Sequence, residues 1–360
     1  MRVGFLGAFS IDNAGDHLIA RATRQAIRAR TTCDEIVLAP DLPQPGWRHD
    51  WSAARGGGVE IRRVPPNRAS TVTSDLDALI IGGGGILLPH AGFHPYVAWG
   101  SVPAAWNAIC SQNTSHTDPT LSVWYGRVRS ACERLRYTSV RNATTEQLLR
   151  SCGVTTPIAL VPDVAVGYVP DHDAETDIQL DALLARGDRP VIGLSAGTAF
   201  PADWLATLDR LAAAKTFDLV VFGFGRVYGD DETARNVLGR LPHARAIDAS
   251  LSADALWRLI GKLDAYLCTR FHAVIAAYVQ GVPFLVCDEY TSTAGTSKIR
   301  EFLVERGLEA ARVVPGDVEP FEPRIQALLA QHRTEPTTLV ADRAALAKHY
   351  DAMLAALMSR

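Results

Sequence analysis

Residues 264–284 read DAYLCTRFHAVIAAYVQGVPF, and this stretch decides the fold class. The apolar run Ala265 to Cys268 has the composition of a buried strand, Phe271 to Gln280 has the spacing of a short helix, and Gly281 with Pro283 ends it. In open α/β sheets the turn at the carboxyl end of a strand faces the crevice where small molecules bind. Arg270 and His272 stand on that turn. A guanidinium holds carboxylate or phosphate through a planar fork, and an imidazole exchanges protons near neutral pH, so the pair suits an anion that must be both held and protonated. The plainer alternative is that Arg270 anchors a local carboxylate and His272 serves helix packing.

Working outward, the alternation of strand and helix recurs. Strands are expected at Arg2–Gly7, Glu35–Ala39, Ala78–Ile81, Tyr137–Val140 and Ile158–Val161, with helices at Asp16–Arg30, Val123–Leu135 and Thr145–Cys152. After Asp163 the polar stretch VGYVPDHDAETD reads as a linker. A second series follows, with strands Pro190–Leu194, Leu219–Phe224 and Phe284–Cys287 and helices Ala202–Ala214, Asp231–Leu241, Ser252–Lys262, Lys298–Arg306 and Ala341–Met358. The expectation is an α/β protein of two Rossmann-like domains facing across a cleft, residues 1–168 and 169–335, with a helix in 336–360 free to pack back on the first. Pro40–Thr73, rich in proline, glycine and arginine, reads as a long surface excursion.

Composition narrows the function. The 360 residues are 48% hydrophobic, enough for two cores, and the formal net charge of −3 provides no global basic field. Nucleic acid is therefore not an expected partner, and an anionic ligand must be met by local charge. Cys33, Cys110, Cys132, Cys152, Cys268 and Cys287 form no CxxC pair or zinc-like spacing and read as reduced thiols. No apolar run approaches about 18 residues, and MRVGFLGAFS lacks the regions of a signal peptide, so a soluble cytoplasmic protein is expected.

Two loops of the first domain carry further candidates. DNAGDHLI (Asp12–Ile19) follows the first strand and opens the first helix. There Gly15 lets the backbone approach a ligand, Asn13 or Asp16 suits a hydroxyl-binding or base role, and Asp16 as a helix cap is the structural alternative. LIIGGGGILL (Leu79–Leu88) places Gly83 and Gly84 after a strand, a bare backbone for a substrate or for close helix packing. Neither loop gives GxGxxG, and no P-loop is present. GLSAGT (Gly193–Thr198) superficially matches a nucleophile elbow around Ser195, but it reads better as a small-residue turn with Gly197 lining the cleft. Between Pro89 and Thr120, His90, His94 and His116 lie among aromatic residues; Gly92 and Pro95 argue against a helical metal pair, and no metal site is expected.

DNAGDHLI, LIIGGGG, SVRNATTEQLL (Ser139–Leu149), VPDVAV (Val161–Val166), GDD (Gly229–Asp231), RFHA (Arg270–Ala273) with GVP, and SKIREFL (Ser297–Leu303) occur in that order. In them the chain resembles the polysaccharide pyruvyl transferase family, to about residue 305. Asn142 stands where aspartate is usual, and Val164 where proline is usual. The resemblance implies a fold similar to the glycosyltransferase B architecture, and transfer of a pyruvyl group from phosphoenolpyruvate to sugar hydroxyls as a ketal, with no metal or other cofactor.

On that reading His272 is the acid and Arg270 the anion clamp, with Lys298 and Arg141 as further anion contacts and Gly197 beside the donor. Asp16 would orient or deprotonate the acceptor, with Asn13, Gly15, Gly83, Gly84 and His94 on the acceptor side and the segment 89–120 as an acceptor-specific lid. Peripheral contact with a lipid-linked acceptor and a homo-oligomer are compatible with it. The alternatives are an enzyme of the same frame using a nucleotide sugar, with Arg270 and Lys298 on the diphosphate, and a binding protein that has lost the chemistry.

Overall fold

The computed structural model describes residues 1–9, 13–39, 59–64, 69–87, 96–111, 122–197, 200–225, 229–247, 251–288, 297–314 and 320–359. They fall into two compact units, one of Met1–Asp12, Asp16–Tyr168 and Val340–Arg360, the other of Asn13–Gly15 and Val169–Leu339.

The first unit is built on β1 (Arg2–Leu6), β2 (Asp34–Ala39), β3 (Glu60–Arg63), β4 (Ala78–Leu87), β5 (Ala104–Ser111), β6 (Tyr137–Val140) and β7 (Ala159–Leu160). Its helices are α1 (Ala14–Arg28), α2 (Ala69–Val72), α3 (Ser122–Arg134) and α4 (Ala143–Ser151). The sheet order is β3-β2-β1-β4-β5-β6-β7, and the pairings are parallel. Parallel strands with helices on both faces are buried on both sides, which is why β1 and β2 read as apolar runs rather than alternating ones. Trp99, Trp106 and Trp124 fill the core of this unit. The edge strand β3, EIRR, is charged and largely exposed. Such an edge discourages further pairing, and it lies within the segment expected to be only an excursion.

In the second unit β8 (Val191–Ser195), β9 (Asp218–Phe222), β10 (Arg245–Ala246), β11 (Ala265–Cys268), β12 (Phe284–Cys287) and β13 (Arg312–Val313) form a sheet of order β10-β9-β8-β11-β12-β13. Its pairings too are parallel. The helices are α5 (Ala174–Leu184), α6 (Ala202–Ala213), α7 (Asp230–Leu238), α8 (Ala253–Lys262), α9 (Phe271–Val279), α10 (Lys298–Glu305) and α11 (Phe321–Leu329). Helix α9 is apolar on every side except at His272 and is accordingly buried along its length. Trp204 of α6 stacks on Phe321 of α11 with ring centroids 4.6 Å apart.

The last helix, α12 (Thr337–Met358), returns from Val340 onward to the first unit. There the His349 Nε2–H donates to Asn107 Oδ1 of β5 at 2.8 Å, and Tyr137 Oη donates to His349 Nδ1 at 3.1 Å. No helix among the described residues is long and apolar enough to cross a membrane. None of the six cysteines is in a disulfide, and four of them are buried.

Besides β3, three elements depart from expectation. The segment 89–120 holds β5, an interior strand, where a lid was expected; its apolar run is interrupted by Asn107, fully buried and satisfied by Thr23 and His349. The expected linker contains the start of α5, whose amino end is capped by Asp173 accepting from the Thr176 N–H at 3.1 Å. The glycine run does not follow β4 but lies inside it, where the register with β5 shifts between Gly84 and Leu87.

Candidate functional site

In the second unit β8 and β11 lie side by side, while β8 leads outward to β9 and β11 leads the other way to β12. This reversal of strand order makes the β8–β11 edge the topological switch point, the place where open α/β sheets take ligands. The loop after β8 carries Gly197 and the turn after β11 carries Arg270 and His272. Thr269 ties them, its Oγ1 accepting from the Gly197 N–H at 2.7 Å.

Arg270 is the residue before α9, in extended conformation, and His272 sits in that helix's first turn. The Arg270 Nε–H reaches both oxygens of Asp230, at 3.1 and 3.0 Å, and Nη2 donates to the same carboxylate and to the Gly197 carbonyl at 3.1 Å. A Cβ at position 197 would stand 2.0 Å from Arg270 Nε, so glycine is required for the guanidinium to lie flat against this loop. Asp230, which opens α7, is buried; burial pushes its carboxyl up, against the opposing pull of Arg270. Its neighbour Asp231 lies over Gly223, where a Cβ would be 2.2 Å from Oδ1.

Asn13–Gly15 groups with this unit, Asn13 forming an antiparallel bridge with Gly225. Gly15 stands against the half-buried imidazole of His272, where a Cβ would lie 2.1 Å from Nδ1. The cap of α1 is Asn13, whose Oδ1 accepts from the Gly15 N–H at 3.0 Å; the cap considered for Asp16 is therefore made by Asn13. Lys298 opens α10 with its Nζ 5.7 Å from the centre of the Phe271 ring, and Ser297 caps that helix while donating to the buried Asp288 at 2.8 Å.

Residues 13–289 match the sequence pattern of polysaccharide pyruvyl transferases. The chain belongs to the polysaccharide pyruvyl transferase family. No curated protein matches it. Among solved structures, UDP-GlcNAc 2-epimerase from Neisseria meningitidis bound to UDP-GlcNAc is similar with TM-score 0.62 at 12% identity, over 99% of this chain and 100% of that one. UDP-GlcNAc 2-epimerase from Methanocaldococcus jannaschii gives 0.59 at 13%, over 97% and 100%. E. coli ADP-heptose lps heptosyltransferase II gives 0.50 at 13%, over 99% of each chain. At these identities the likeness is one of fold, the glycosyltransferase-B-like pair of doubly wound α/β units expected from the sequence.

The first unit of this family member has its own switch point, between β1 and β4. Asp16, 7% exposed, lies in the first turn of α1, and a Cβ on Gly84 would be 3.0 Å from its Oδ1. Gly83 is packed against α1 directly, since a Cβ there would be 1.9 Å from Ile19 Cγ2. Gly82, Gly83 and Gly84 have φ of +104°, +70° and +91°, so this strand needs glycine for its conformation as well as for the approach of the helix.

Arg141, expected as an anion contact, is buried instead, with its guanidinium on Asp163 and on Cys110 Sγ at 2.8 Å. The family fragments SVR and VPD thus meet in an interior ion pair, because an arginine buried at the end of a short strand is desolvated and must find a carboxylate. Ser195, the residue of the apparent nucleophile elbow, ends β8 fully buried with its hydroxyl on Tyr266 Oη. His94 lies outside the described residues. Asp230 is the residue that sequence reading missed: GDD was legible as a family fragment, but nothing local pairs its first aspartate with an arginine 40 positions on.

Proposed function

We propose that this family member transfers the pyruvyl group of phosphoenolpyruvate to two hydroxyls of a saccharide acceptor, forming a pyruvate ketal and releasing phosphate. The observation that carries this reading is the pair Arg270 and His272, two residues apart at the β8–β11 switch point and each lying against a glycine that leaves room for it. Arg270 holds the donor's anionic groups, with Lys298 as a second cation, and His272 delivers a proton to the donor's methylene carbon.

Protonation there leaves oxocarbenium character at C2, which the first acceptor hydroxyl attacks. The C2–O bond to phosphate then breaks, and the second hydroxyl closes the ketal. Of the two protons that the hydroxyls lose, one makes good the proton given to carbon and the other departs with phosphate. Asp16 orients or accepts from an acceptor hydroxyl. The chemistry needs no metal and no further cofactor.

The test is phosphate release from phosphoenolpyruvate across a panel of glycans. The expected result is release that requires both substrates and yields an acid-labile ketal on the glycan. Thermal stabilisation by nucleotide sugars and not by phosphoenolpyruvate, with no phosphate released from any pairing, would reject it.

A further inference from the structure

We infer that Asp230 is a positioning residue of the donor site, fixing the plane in which the Arg270 guanidinium meets the donor's anion; this rests on the reading of Arg270 as the donor's clamp. The two residues come from different crossovers, Asp230 from the start of α7 after β9 and Arg270 from the turn after β11. Their side chains are 4% and 17% exposed. An arginine side chain carries a large rotamer entropy, and a fork–fork contact removes that freedom before the ligand arrives.

Here the contact runs along the Nε edge, through both carboxylate oxygens, while the Gly197 carbonyl takes Nη2. Each of these acceptors is itself fixed. The Gly197 amide is held by Thr269, and Asp230 follows Gly229, whose φ of +74° is left-handed. Asp231 seats the same turn on Gly223 at the end of β9. A carboxylate beside an anion site weakens the site's attraction for the anion, so its contribution must be to geometry rather than to charge.

The experiment compares Asp230→Asn and Asp230→Glu with the wild type by steady-state phosphate release from phosphoenolpyruvate with a glycan acceptor. It adds NMR of the arginine Nε–H groups, with the Arg270 signal assigned through Arg270→Lys. Asp230→Asn is expected to raise the donor KM by about tenfold or more while kcat changes by less than about threefold, and Asp230→Glu to recover part of the loss. The Arg270 Nε–H signal should be sharp without donor and broaden or move in Asp230→Asn. In an Arg270→Ala background the same substitution should change donor binding by less than about twofold, because the two residues act as one unit.

A donor KM in Asp230→Asn within about twofold of the wild type, or an undiminished penalty in the Arg270→Ala background, overturns the assignment. Should Asp230→Asn fail to fold, Asp230→Glu provides the same comparisons. If the wild type released no phosphate from phosphoenolpyruvate, the donor reading would fail. The Nε–H signal would then still decide whether Asp230 holds Arg270, an unmoved signal in Asp230→Asn meaning that it does not.

Discussion

His272 and Arg270 are assigned separable tasks, and single substitutions should separate them. His272→Ala removes the acid, so kcat for phosphate release should fall by about 100- to 10,000-fold while phosphoenolpyruvate still stabilises the protein to heat. Loss of that stabilisation together with turnover would assign His272 to binding instead. Arg270→Ala should weaken donor binding without abolishing it and also weaken the fold, because Asp230 stays buried without its partner, at about 1 to 3 kcal/mol. Since burial already pushes the Asp230 carboxyl up, the folded variant holds a proton there that the unfolded chain releases at lower pH. Its stability deficit should therefore shrink as pH falls, and denaturant titrations of wild type and variant at several pH values read this directly. Gly15→Ala drives a Cβ to within 2.1 Å of His272 Nδ1. It should cut turnover through a displaced imidazole while Tm moves by only a few degrees; full activity would show that the ring is not needed where it stands. At this scale the arginine and histidine were legible because a strand, a turn and a helix are contiguous in sequence. Asp230 was not, because its partner belongs to another crossover.

Among the elements, α12 shows how a buried polar contact sets a pH dependence. Burial, with a smaller contribution from Arg30, lowers the His349 pKa to about 4. The unfolded chain takes up this proton at the ordinary histidine value, so the helix's docking is fully stabilising above about 6.5, loses stability as pH falls from there toward 4, and levels off below. The loss should reach about 3 kcal/mol. His349→Gln keeps a donor for Asn107 and has no charge to gain, so its stability should fall less steeply over that interval in denaturant titrations; equal slopes would remove His349 as the cause. The same contact explains why β5 escaped notice. Asn107 breaks the apolar run of AAWNAICS, and its partners Thr23 and His349 lie 84 and 242 positions away. By contrast β8, β9, β11 and β12 were readable as continuous apolar segments, because strands covered on both faces carry no polar alternation to confuse with a loop.

For the whole molecule, two alternating series of strands and helices gave two doubly wound sheets, since each βαβ unit is written locally. The alternation leaves the last helix only free to pack back on the first domain, and the structure groups it there, so that the first unit is discontinuous. The family pattern covers residues 13–289, and α12 lies beyond it, so nothing in the shared motifs says where the last helix goes. Packing does: Leu346, Tyr350, Met353, Leu354 and Leu357 are buried, and from Val340 onward the helix groups with the first unit. Burying five such side chains is worth about 8 kcal/mol or more at about 1.5 kcal/mol each, a sum comparable with the entire stability of an ordinary domain. A chain ending at Leu339 should therefore lose the folded first unit, with Tyr137 and Asn107 stripped of His349 at the same time. The β8–β13 sheet keeps its own core around Trp204, Leu208 and Phe321 and should retain its hydrogen-exchange protection. Exchange measured by mass spectrometry reads the two sheets separately. Rapid exchange confined to β1–β7 is the expected outcome, and undiminished protection of β5 and β6 would show that α12 is dispensable to the unit it caps.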